Sequence, residues 1–61
     1  MSEKEFLKQA YLGKKVVVNI DDPYTPYVNR VGVVEYVDDM GQLHGTWGGL
    51  AALPHEVRVI G

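Results

Sequence analysis

The chain has 61 residues, room for one domain over 1–61, and a chain of that length buries only about 60% of the surface its unfolded form exposes, so most large apolar side chains are needed in a core. The absence of cysteine excludes disulfide staples and thiolate metal ligands, and six Lys/Arg against eight Asp/Glu, a net charge of −2, weigh against the clustered basic face of a nucleic-acid binder. No window approaches the roughly 20 apolar residues of a membrane span, and the mixed charges of Glu3, Lys4 and Glu5 do not suit a secretory signal, so a cytoplasmic protein with no membrane partner is expected.

Ser2 followed by Glu5 has the spacing of a capping box, in which the hydroxyl accepts a backbone N–H three residues on. Phe6, Leu7, Ala10 and Tyr11 recur at helical spacing and Gly13 suits a left-handed terminator, which predicts a helix over 3–11 inside an N-terminal cap over 1–13. Two turns of helix do not persist alone in water, so Phe6, Leu7 and Ala10 are expected to dock as a lid on the core or over a groove.

Residues 14–20 read as a first, β-branched strand with Val16, Val18 and Ile20 inward. Lys15, Val17 and Asn19 fall on its other face, against which the helix has room to lie. Residues 21–30 then read as a loop stiffened by Pro23 and Pro26, which presents Tyr24 and Tyr27 beside Asp21 and Asp22. The two rings either close over one end of the core or face a ligand.

A second strand over 31–37 contains Gly32, a mark of a bulge or a close backbone approach. A further bulge near Glu35 would let Val34 and Val37 both point inward. Residues 38–41 form a turn, with Gly41 free to take positive φ. A third strand over 42–47 ends on Trp47, Gly48 and Gly49 turn the chain, a short fourth strand covers 50–53, and Pro54 opens a 3₁₀ turn before a fifth strand over 57–60. Five short strands with tight turns close most economically into a small barrel over 14–61, which removes exposed edges.

Trp47, Gly49, Leu53, Pro54 and Val57 together resemble the end of a Src-homology-3 (SH3) barrel. The tyrosine usual in that last turn is absent and so is the alanine-leucine-tyrosine-aspartate-tyrosine motif, so the resemblance implies the barrel and not the proline-peptide groove. Asp21-Asp22-Pro23, Gly32-x-Val34, Val37-Asp38-Asp39-x-Gly41-x-Leu43-His44, Trp47, Leu50 and Pro54 resemble a family of small uncharacterised proteins of phages, prophages and conjugative elements of Firmicutes. Glu56 and Val57 stand where that family often carries an acidic residue and an aromatic. This resemblance implies a mobile-element setting and an SH3-like barrel, and attaches no activity; with the elements read above, the expected fold is mainly β, a small five-stranded SH3-like barrel with a short N-terminal helix.

His44 and His55 lie on different segments without a His or Cys at ligand spacing, so no metal site is expected. The Asp38–Gly41 turn lacks the alternating oxygens of a calcium loop. No nucleophile elbow, phosphate-cradling loop or acid/base pair is present, so neither catalysis nor a cofactor is expected. Trp47 is either the main core anchor or part of a binding surface, or both at once. The binding reading gathers Tyr24, Tyr27, Tyr36 and Trp47 into an aromatic surface rimmed by Asp21, Asp22, Asp38 and Asp39, facing a basic or proline-containing protein or peptide. The alternative is nucleic-acid binding, with aromatics on bases and Lys14, Lys15, Arg30 and Arg58 on phosphates. The expected state is a monomer or weak homodimer.

Overall fold

The computed structural model describes residues 2–61; Met1, the first residue of the expected domain, lies outside them. Ser2 caps the helix as its spacing predicts: the hydroxyl accepts the Glu5 N–H at 3.2 Å, and α1 runs Glu3–Tyr11. Gly13 follows with φ 76°, the left-handed conformation that a side chain disfavours.

The fold is mainly β. Strands β1 (Lys15–Ile20), β2 (Tyr27–Val37), β3 (Leu43–Gly45) and β4 (Val57–Val59) form one antiparallel sheet in the order β3-β2-β1-β4, with a 3₁₀ turn at Pro54–Glu56 leading into β4. Four strands replace the expected five, because residues 50–53 contribute only a single bridge. Ala52 exchanges both backbone bonds with Leu43, at 2.7 and 2.8 Å. On either side of it the Leu50 carbonyl is taken by the Trp47 indole and Pro54 begins the 3₁₀ turn, so no ladder extends.

The register of β2 is set by two bulges. Val18 pairs with Arg30 and Ile20 with Tyr27, so Asn19 alone opposes both Val28 and Asn29. Asn29 takes φ 50°, a conformation asparagine tolerates, and its N–H donates to Asn19 Oδ1 at 2.9 Å. That side-chain bond carries the pairing across the irregularity, so β2 begins at Tyr27 and the expected loop over 21–30 shortens to 21–26. The second bulge lies at Glu35, between the Val34 and Tyr36 pairings, and turns both Val34 and Val37 inward as the sequence pattern requires.

The core consists of Leu7, Val16, Val18, Tyr27, Val34, Val37, Leu43, Trp47 and Ala52. Each large aliphatic among them contributes about 1.5–3 kcal/mol by leaving water. The helix supplies only Leu7, with Tyr11 packed at the margin, whereas Phe6, expected inside, is 61% exposed. Two turns reach the end of the core with one side chain, and the face of Val17 is left uncovered: Val31 and Val33, its neighbours on β2, remain half exposed.

Candidate functional site

The eight residues expected to form one aromatic, acid-rimmed surface divide between core, outer sheet face, turns and loop. Trp47 is 2% exposed, in a slot that two glycines make possible. A Cβ at Gly32 would sit 2.9 Å from the Trp47 backbone nitrogen, and one at Gly45 would overlap the indole itself. The indole Nε1–H donates to the Leu50 carbonyl at 2.8 Å, so its only polar atom is satisfied inside the chain. Of the readings open to Trp47, the core anchor describes its position, with neither ring face nor indole N–H left exposed.

Tyr27 is also core, at 6% exposure. Its hydroxyl end fits against Gly48, where any side chain would collide, and the Arg30 guanidinium lies 4.2 Å above the ring centroid. The same guanidinium donates to the Trp47 carbonyl at 2.9 Å. Arg30 therefore latches the two buried aromatics from outside, a cation–π contact and a hydrogen bond on one planar group. That engagement removes one of the four cations that a phosphate-binding face would need.

Two of the four aspartates, Asp22 and Asp38, hold local turns, and a third, Asp39, forms a surface ion pair. Asp22 Oδ1 accepts the Tyr24 and Thr25 N–H groups at 2.8 and 2.9 Å, a local turn that fixes the 21–26 loop. The Thr25 bond first and the Tyr24 bond second hold the Asp22 carboxyl below its ordinary value. Asp38 Oδ1 accepts from the Met40 and Gln42 N–H groups, both at 2.9 Å, while Oδ2 takes a 2.7 Å bond from His44 Nε2. The His44 bond and then the Gln42 bond lower the Asp38 carboxyl. Asp39 pairs with Lys4 at 2.7 Å on the surface and ties the β2–β3 turn to the start of α1.

Tyr36 stacks flat on His44, with centroids 4.3 Å apart and planes 3° from parallel. The pair follows from the Tyr36–His44 register, which places both rings on the outer face of the sheet. Tyr36 stands near one end of β2, while Tyr24 lies in the loop before its other end, so the two exposed tyrosines do not share a surface.

What remains in the loop is specific. Tyr24 is 92% exposed on a segment held by Asp22 and bounded by two prolines. The two ends of the same loop and the strands they join frame a shallow groove of about 240 Å³ lined by Asn19, Ile20, Asp21, Pro26, Tyr27 and Val28. Val28 is 74% exposed at the bulge, and Asp21 has no ion-pair partner among the described residues. Sequence reasoning missed Val28, since its exposure depends on the left-handed Asn29 turning β2. The groove is smaller than the ~300–1,000 Å³ of small-molecule pockets and suits one or two side chains of a peptide. A second open depression, between the helix start and the β2–β3 turn, is crossed by the Lys4–Asp39 pair.

Among the described residues no three His, Cys, Asp or Glu side chains converge on a point where a metal ion would sit. No helix among them is long and apolar enough to cross a membrane. Comparison with known proteins returns no matching family model, no matching curated protein and no matching solved structure.

Proposed function

We propose that this chain is a small non-catalytic protein-interaction module of a phage or other mobile element, acting in the cytoplasm, and that it docks a basic or proline-containing peptide on its loop end. The observation that carries this reading is Tyr24, an aromatic 92% exposed on a stiff loop. An aromatic with few moving torsions, presented without ordering cost, is the usual anchor of a protein interface. Asp21 beside the groove supplies the charge that selects a cationic partner.

We also infer that the sheet curls into the SH3-like barrel implied by the sequence resemblance. Ala52 is bonded outside β3, and Val57 five residues later is paired to β1 at the other side of the sheet. In a flat sheet those positions are four strand spacings apart, roughly 19 Å. Five residues that include a 3₁₀ turn span only about 13 Å, which favours a strongly bent sheet.

Binding to arrays of short peptides tests the function. Lys- or Arg-containing peptides with proline or aliphatic neighbours are expected to bind, and Tyr24→Ala to weaken them by about tenfold or more with an unchanged urea midpoint. Equal binding by wild type and Tyr24→Ala would overturn it. Nucleic-acid binding is less favoured because Arg30 is engaged internally.

A further inference from the structure

We propose that the loop end also has a partner within the same molecular species: the outer sheet face of a second copy of the chain, in a head-to-tail contact. This rests on the loop end being a docking surface and names one occupant for it.

The outer face is complementary to the loop end in sign as well as in apolar character. Lys15 pairs with Val33, and Val17 lies between Val31 and Arg58, so these side chains share one face of the sheet. Val31 is 51% and Val33 40% exposed there. Neither Lys15 nor Arg58 forms an ion pair among the described residues. A valine strip carrying two unpaired cations thus stands on the same chain as a tyrosine-valine loop carrying Asp21.

Intramolecular contact between the two is prevented by β1 itself, which runs from Lys15 on the cationic face to Ile20 at the groove. From the Val17–Arg58 pair to Ile20 is three residues, about 10 Å of rigid strand that holds the two surfaces apart. Two different surfaces meeting between copies make a heterologous contact, which grows as an open chain unless its rotation closes a ring. Only a few side chains contribute on each side, where stable interfaces bury at least about 1,200 Å², so the contact is weak.

Sedimentation velocity at chain concentrations rising into the millimolar range tests this. The average mass is expected to rise past that of a dimer and to fall as salt screens the charges. Arg58→Glu and Asp21→Lys each place like charges across the contact and are expected to weaken association by about tenfold or more. An equimolar mixture of the two variants restores opposite charges at both ends and is expected to recover growth. On dilution, wild-type amide shifts are expected to move at Tyr24, Val28, Val31 and Arg58, a readout that needs no variant. A wild type that stays monomeric, a closed dimer, or a mixture that stays monomeric overturns the proposal. Tyr24-dependent peptide binding by a monomeric wild type would overturn it while leaving the loop end as a docking site for other proteins.

Discussion

At the scale of single residues, the molecule is decided by who touches Trp47. Its ring fills the space left by Gly32 and Gly45 and its N–H is bonded to Leu50. Trp47→Ala is therefore expected to cost about 3–5 kcal/mol, and Gly45→Ala to destabilise as well because the new methyl meets the ring and the Val33 carbonyl; urea titration followed by far-UV circular dichroism measures both. The expected strand over 42–47 ends at Gly45, so Trp47 follows β3 in a turn, where strand alternation does not carry over. One wall of the slot is Gly32 on β2, so burial of the ring was only half legible in its own segment, through Gly45. Acid sensitivity is also a residue-scale property. Asp22 and Asp38 both have carboxyls held below their ordinary values, so they bind fewer protons folded than unfolded as pH falls below the ordinary range near 3.9. The stability they contribute is complete above that range and disappears as pH drops through the lowered values. Asp38→Asn with Asp22→Asn is expected to flatten the acid limb of a stability-against-pH curve relative to wild type.

At the scale of elements, the helix and the β2–β3 turn show which signals travel from sequence to structure. Capping chemistry and glycine termination act within a few residues, and the bounds of α1, Glu3–Tyr11, are those that Ser2 and Gly13 imply. Which side of the helix docks depends on where the sheet ends. Leu7 alone reaches the core, and Phe6, equally apolar, faces water. Leu7→Ala is accordingly expected to cost about 2–5 kcal/mol, whereas Phe6→Ala leaves the urea midpoint nearly unchanged. The bulge at Glu35 was legible because an apolar pattern that breaks parity demands one extra residue. The bulge at Val28 and Asn29 was not, since Asn19 and Asn29 read as ordinary polar strand and loop residues until their pairing is seen.

At the scale of the whole molecule, the buried side chains among the described residues, nine in number, hold a chain in which β1 and β2 each pair on both sides while β3 and β4 are short flanking strands. Amide exchange is expected to be slowest in β1 and β2 and fastest in α1 and the 21–26 loop, because opening an outer element sacrifices the least buried contact. The mainly β fold with a short helix followed from the order of punctuating glycines and prolines. The candidate site did not: its eight residues were chosen for chemistry, and packing removed two of the aromatics while turn geometry occupied two of the carboxylates, Asp22 and Asp38. The burial of the single tryptophan has a further, optical consequence. Its indole is shielded from solvent and bonded to a fixed carbonyl, so relaxation of water around its excited state is suppressed. Emission is therefore expected to be blue-shifted and poorly quenched by acrylamide, and to move to longer wavelength on unfolding. Peptide docking at Tyr24 is expected to leave it unmoved, giving a native fluorophore that separates loss of the fold from loss of the partner.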